Sequence, residues 1–588
     1  MTICPSYVST NEFHPLKLGR GEQWNLLRWT ITALLWTGWM MSSASAAHAA
    51  ALPGPADAGR IDQRQAAPPP APELLPPAGP MNVVPLVPAP EASKNVTIRL
   101  TEVHIAGMTA FTDAQIKDIY APYIGREITL DTVWLIAGQL TERYHNAGYF
   151  LSRATVPQQK VGKDGVVLLH VVEGYIGDVK LDGKLADNRI IRQWFARLQS
   201  YRPVKADQIE SVLLHINDVP GVNLHAVLEP MQGTPDTEGA VRLMLEPQPA
   251  PMVSGTVSFD NNGSRYLGPY EGQIQAQVVE APGQRTTVTG LASLPWDEIK
   301  YGGVRHEFSL FPAATGEVYG SYTTAAPGYT LKPEEIKSTS TNFGAAFNYS
   351  LIRQRQENLT GRIAFESQDT ESDILGTPLT RDYIRALRFG LNYQIADKWN
   401  GQNALNGTLS QGLPILGASP AGQANLSRAG ATPDFTKFNI DASRLQGIID
   451  DWSLYNALSA QIASGPLYSS EQFGYGGQAF GRAYDNSEIT GDQGIEGSTE
   501  LRYGGIAPVY HVQPMPYGFY DLGAVWNLSD PTDPYASGSS VGAGVRLLSD
   551  VGASANLGLA FPLTRPVATP LYGNGKNPRY FFSVAYGF

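Results

Sequence analysis

The sequence predicts two small α+β modules followed by an all-β membrane barrel of about sixteen antiparallel strands. Three observations point there. From Val253 to Phe588 the chain runs in short alternating segments divided by clusters of Gly, Pro, Asn and Asp. Between residues 96 and 247 the order strand, helix, helix, strand, strand occurs twice. No segment after the N-terminal region offers about 20 consecutive apolar residues, which a spanning helix would need.

The totals agree. A mean hydropathy of −0.18 excludes a polytopic helical membrane protein but not a barrel, whose strands hide a lipid face in alternation. The 60 glycines and 28 tyrosines in 588 residues fit many strands, tight turns and aromatic girdles. A net charge of −11 with no basic stripe argues against nucleic acid as a partner.

Residues 1–49 read as a long secretory signal peptide. Lys17, Arg20 and Arg28 form its basic region, Trp29–Met41 a short apolar core, and Ala47, His48 and Ala49 a small-residue cleavage site. That core is too short to span about 30 Å of hydrocarbon as a helix. The sole cysteine, Cys4, lies in this segment. The mature chain would then carry no thiol, and its stability must come from the sheet. Residues 50–95 are rich in proline and alanine, with Pro68–Pro72 reading PPPAP. The proline-free stretch Ala56–Ala67 is either a short helix or plain linker; barely three turns of helix are marginal alone in water.

The first module is expected over residues 96–174. Val96–Ile105 alternates as a strand, and Thr112 with Gln115 forms a capping box. Leu130, Val133, Ala137, Leu140 and Tyr144 make one apolar helix face, followed by strands near Leu151–Val156 and Val166–Glu173. The second module, residues 175–249, repeats this with a strand at Ile176–Leu181, helices around Asn188–Leu198 and Ile209–Ile216, and strands at Leu224–Pro230 and Ala240–Pro247. A repeat at about 75 residues marks an internal duplication.

The barrel is expected over residues 252–588. In Leu387–Ile395, Leu387, Phe389, Leu391, Tyr393 and Ile395 oppose Arg388, Gly390, Asn392 and Gln394. The closing strand alternates Tyr580, Phe582, Val584, Tyr586 and Phe588; Tyr586 and Phe588 form the barrel-end signal of an outer-membrane protein. Within the barrel, a glycine-rich stretch at residues 474–492 leads into a strand whose polar face carries Ser498, Glu500 and Arg502. Parity places Phe519, Asp521 and Gly523 inside the thirteenth strand, with Tyr520, Leu522, Ala524 and Trp526 towards lipid.

Catalytic patterns are poor, and no enzyme is expected. Gly538-Ser539-Ser540-Val541-Gly542 matches a nucleophile elbow, but that chemistry needs a strand–turn–helix, and here the pattern enters an alternating strand. The nine histidines show no metal-ligand spacing, so neither metal nor cofactor is expected.

The segment Gly481-Arg482-Ala483-Tyr484, its acidic turn and the strand ending Glu500-Leu501-Arg502-Tyr503 resemble the inward loop of the two-partner secretion transporters. These are the haemolysin and filamentous-haemagglutinin exporters of the outer-membrane insertase superfamily. Their tetrad has glycine where Ala483 stands. The modules, with Ala147-Gly148-Tyr149, Pro157-Gln158 and Val219-Pro220-Gly221-Val222, resemble the family's polypeptide-transport-associated (POTRA) domains.

The resemblance implies that Gly481, Arg482 and Tyr484 form a loop tip inside the barrel, seated on Phe519, Asp521 and Gly523. Arg482 would hold Asp521 through its planar fork. The resemblance further implies that residues 56–67 can act as a plug and that the POTRA domains lie in the periplasm. Its partner would be a secreted exoprotein, recognised through an N-terminal secretion domain. Outer-membrane lipid and the barrel-assembly machinery are the other partners, and the transporter should be a monomer. The alternatives are an insertase acting through the seam between first and last strands and, from another class, a passive porin, which would leave residues 96–247 unexplained.

Overall fold

A computed structural model describes residues 52–65, 88–162, 164–231, 238–294, 296–529 and 534–588. The expected signal peptide and most of the proline-rich stretch lie outside the described residues, as do Ala66 and Ala67.

Sixteen strands close into a barrel, from Val253–Asp260 to Arg579–Gly587, each antiparallel to its neighbours. Alternation decides which face each side chain takes. In the twelfth strand, Gln493–Tyr503, Glu496, Ser498 and Glu500 are buried while Ile495 and Leu501 face outwards. In the thirteenth, Val512–Trp526, Phe519 and Asp521 are buried and Tyr520, Leu522 and Trp526 exposed. Tyr580, Val584, Tyr586 and Phe588 point outwards from the end of the chain. The wall is uneven: strands seven and eight, Glu357–Ile374 and Thr377–Ala396, share eighteen residue pairs. The closing seam has five, from Ser583 opposite Asp260 to Gly587 opposite Thr256. Phe588 and Gly255 add one exchange of backbone hydrogen bonds at 2.9 and 3.0 Å.

The first module departs from the sequence reading at its start. Val96–Ile105 is not one strand: Thr97–Arg99 pairs with Glu127–Thr129, and Glu102–Ala106 runs parallel to Val166–Val172. Leu100 turns inward between them, with its N–H donating to Arg126 O and the next N–H, of Thr101, to Gly165 O. The chain changes partner there, which periodicity alone cannot register. The capping box is present, Thr112 N–H donating to Gln115 Oε1 at 2.8 Å. The second module sets Tyr175–Leu181, Ala240–Pro247 and Leu224–Pro230 side by side behind helices Arg189–Ser200 and Ala206–Asn217. Phe150, from the first module, is buried in the core of the second. Arg353 and Arg355, in and after the sixth barrel strand, pair with Asp218 and Glu210 of the second module.

Residues 52–65 lie within the barrel as two single 3-10 turns and a short helix, Ile61–Gln65. Ala58 and Ile61 pack on Leu267, Leu291, Ile299 and Ala325, and Asp62 accepts from Ser321 at 2.7 Å. Arg60 donates to Ser469 O and Gln472 O at 2.7 and 3.0 Å, and Arg64 pairs with Glu271. Such a short helix persists because the wall supplies partners that water would not.

Candidate functional site: the inward loop

Between strands eleven and twelve the chain folds back into the lumen. Phe473–Tyr475 and Ile489–Gly491 form a two-stranded stem. At its end Gly476 and Gly477 take φ of 117° and 120°, a region that L side chains rarely adopt. Tyr475 is the wedge that seats the stem. A Cβ on Gly523 would lie 2.1 Å from its ring, and one on Gly538 2.7 Å. The two wall glycines therefore form a slot for this ring, and Gly523 acts by leaving room.

At the tip, Gly481 has a left-handed φ of +68°, while Ala483 is outside that region. The tetrad's substitution of glycine by Ala483 thus falls where the backbone needs no glycine. Tyr484 is buried, its hydroxyl lying 3.1 Å from Ser539 O and 2.8 Å from Arg565 O.

Arg482 does not hold Asp521 through a bidentate fork, as the motif implies. Its Nη1 donates to Glu500 Oε2 at 2.8 Å and its Nη2 to Ser498 Oγ at 2.9 Å. Asp521 Oδ1 lies 3.4 Å from Nη2, and Oδ2 accepts the backbone N–H of Arg482 at 3.0 Å. Asp521 also accepts the hydroxyls of Ser498 and Ser540 at 2.7 and 3.3 Å. Register explains the exchange. Glu500 pairs with Phe519 and Ser498 with Asp521, so a guanidinium 3.8 Å above the Phe519 ring lies beside Glu500. Phe519 therefore supplies a cation–π platform. The cluster is buried, with side-chain exposures of 9% for Arg482, 1% for Glu500 and 0% for Asp521.

Two further sets of contacts are not legible in the sequence, although parity already places Arg502 on the inward face. Arg502 and Arg546 also converge on Glu500, at 2.7 Å and at 2.5 and 3.0 Å. Arg546 shares the inward parity of Ser540, Gly542 and Gly544, which is the only signal it carried. Higher in the loop, Arg265 of the first extracellular connection donates to Asp485 and, through both terminal nitrogens, to Glu488. The Ser539–Ser540 pattern lies in a continuous strand, Tyr535–Ser549, with no helix behind it. Tyr586 and Phe588 are remote from the loop tip, on the outer face of the seam.

Residues 313–545 match the sequence model of the haemolysin secretion/activation proteins ShlB/FhaC/HecB, and residues 98–174 that of the ShlB-type POTRA domain. The heme/hemopexin transporter protein HuxB of Haemophilus influenzae (strain 86-028NP) is 25% identical over 469 residues, covering 76% of this chain and 80% of its own. The outer membrane transporter CdiB of Escherichia coli is 24% identical over 508 residues, covering 82% of each. Among solved structures, CdiB from Escherichia coli superposes with a TM-score of 0.68 at 19% identity, over 86% of this chain and 94% of that one. CdiB from Acinetobacter baumannii gives 0.58 at 14% identity, over 90% of this chain and 96% of that one.

Proposed function

We propose, on the premise that the chain belongs to the haemolysin secretion/activation family of two-partner outer-membrane transporters, that its cargo is one large exoprotein of adhesin or haemolysin type. The exoprotein would pass unfolded from periplasm to cell surface, and the POTRA modules would bind its N-terminal secretion domain. The observation that carries this reading is the doubly occupied lumen: the segment 52–65 and the loop tip at Arg482 both fill it, each held by polar contacts. A passive porin has no use for two removable obstructions. Polar groups of a cargo chain can take over contacts of this kind, so both can leave when a cargo chain engages. No phosphate-binding loop is present in the sequence, and folding of the cargo outside can supply direction.

The insertase reading is favoured by one feature, the five-pair seam between first and last strands. One experiment separates the two. Deleting residues 96–247 should abolish appearance of the exoprotein cargo in the medium, while heat-modifiable gel migration shows a folded barrel. Normal export from the truncated barrel would reject the recognition role. Failure of other barrels to assemble would favour the insertase.

A further inference from the structure

Beside the loop tip lies a cavity of about 320 Å³. Its charged lining is four arginines, Arg482, Arg502, Arg546 and Arg579, against two carboxylates, Glu500 and Asp441. With Asp521 and Asp485, which lie 3.4 Å from Arg482 and 3.2 Å from Arg579, four guanidiniums face four carboxylates. Glu500 is already saturated by three guanidiniums. Asp441 accepts from Ser459 at 2.7 Å, and Arg579 lies 3.2 Å from Asp485.

Donors are left over. Arg502 uses only its Nε on Glu500, and neither of its terminal nitrogens has an acceptor among the described residues. Arg482 Nε is buried without a partner among the described residues. Two of the guanidiniums are also held flat: Arg502 lies 4.4 Å from the Tyr455 ring centroid and Arg546 4.2 Å from that of Tyr517. Flat, oriented forks with spare N–H groups are the geometry that recognises planar oxyanions.

We propose that the cavity is a binding site for carboxylates, filled by Asp or Glu side chains of the extended polypeptide as it enters from the periplasm. The inference rests on the export reading and adds the chemistry by which the loop senses cargo. An incoming carboxylate takes the free nitrogens of Arg502 and competes with Glu500 for Arg482. The loop tip loses its strongest side-chain contact and can withdraw. Acidic stretches therefore open the pore, and neutral ones of equal length do not.

The test uses the full-length transporter in planar lipid bilayers. An extended Gly/Ser peptide with spaced glutamates, added on the module side, should alter the current at a concentration about tenfold below its glutamine counterpart, as charge-assisted pairing requires. Arg502→Gln with Arg546→Gln should erase the difference, with heat-modifiable migration reporting that the barrel is folded. The wild-type comparison stands even if that variant does not fold. Equal action of the two peptides on the wild type would overturn the proposal. So would inorganic phosphate reproducing the glutamate effect and abolishing the discrimination, since the site would then be one for small anions. Exoprotein export, measured in the same strain, keeps the two readings apart. Export with no discrimination overturns this site alone, whereas absence of export overturns the secretion reading itself.

Discussion

Arg482 Nη1 and Glu500 Oε2 stand 2.8 Å apart beneath the loop tip, and Glu500 shares its carboxylate with Arg502 and Arg546 as well. The sharing makes the site asymmetric. Arg482→Ala leaves Glu500 with two cations and Asp521 with a backbone N–H and two serine hydroxyls, so its cost should fall below the roughly 3–5 kcal/mol of stranding one partner of a buried pair. Glu500→Gln leaves three guanidiniums together and should reach or exceed that range. The temperature at which the compact gel band converts to the unfolded one should therefore drop most for Glu500→Gln and least for Arg482→Ala. Arg482→Lys should lose export despite keeping its charge, because an ammonium cannot serve Glu500 and Ser498 together across the Phe519 ring. Unchanged thermal behaviour in Glu500→Gln, beside a large loss in Asp521→Asn, would restore Asp521 as the main anchor.

The Tyr475 slot yields a steric test. A methyl group at Gly523 would lie 2.1 Å from the ring, too close for any local adjustment that keeps the ring in place. Gly523→Ala should cost about 1–3 kcal/mol by overpacking and unseat the loop. The expected result is raised single-channel conductance and lost export from a barrel that still migrates as folded. Adding Tyr475→Ala should relieve the clash and return conductance part of the way towards wild type. If conductance stays at the wild-type level in Gly523→Ala, the ring does not seat the loop.

How legible all this is in the sequence depends on the range over which each feature acts. Alternation is local, so Leu387–Ile395 and the thirteenth strand carry their own facing, and the terminal aromatics mark the end of the wall. Parity places Glu500 and Asp521 inside but is silent on the height at which the loop tip stops. A motif can therefore name Asp521 as partner while the register brings Glu500 under the guanidinium. Arg265 was invisible because its partners lie 220 and 223 residues away, on a loop whose path no periodicity describes. Residues 56–65 were ambiguous for another reason: their helix is too short to form by propensity and exists through contacts with seven separate parts of the barrel wall and loops.

In the first module, Glu173 accepts the N–H groups of Thr109 and Ala110 at 2.7 and 2.8 Å, the Tyr144 hydroxyl at 2.7 Å and the Thr109 hydroxyl. Burial alone would raise its pKa, but these donated bonds outweigh it and hold the carboxyl below its ordinary 4.5. A depressed carboxylate contributes stability that is fully present above the unfolded value and is lost as pH falls through the folded one. Protease resistance of the 96–174 region should thus be flat from neutral pH to about 5 and fall below about 4. Glu173→Gln should lower resistance at neutral pH and flatten the acid limb. An acid limb of unchanged steepness in that variant would place the titrating group elsewhere.

The last prediction concerns the seam. Arg265 follows the first strand and Arg579 begins the last, and both reach the acidic turn of the inward loop. Arg265 Nη1 donates to Asp485 at 2.7 Å and to Glu488 at 2.9 Å, its Nη2 donates to Glu488 at 2.9 Å, and Arg579 lies 3.2 Å from Asp485. The turn from Asp485 to Glu488 therefore bridges the two edges of a seam that has only five strand pairs of its own. The Arg265 side chain is 4% exposed, so the pairing is worth far more than a surface salt bridge. Arg265→Ala should release the loop and loosen the seam together, raising conductance and lowering the temperature of the gel transition. Arg265→Lys should rescue little, because one ammonium cannot match acceptors on two carboxylates spread around a fork. Whether the seam takes part is decided by stapling it. Val257 and Tyr586 are paired across the seam, and the sole natural cysteine is Cys4 in the expected signal peptide, so a Val257→Cys, Tyr586→Cys pair would be the only thiols of a mature chain. If the latch acts through the seam, oxidising that pair should suppress the conductance gained in Arg265→Ala, and reduction should return it. A gain that oxidation leaves untouched would mean that Arg265 restrains the loop alone and the seam stays shut without it.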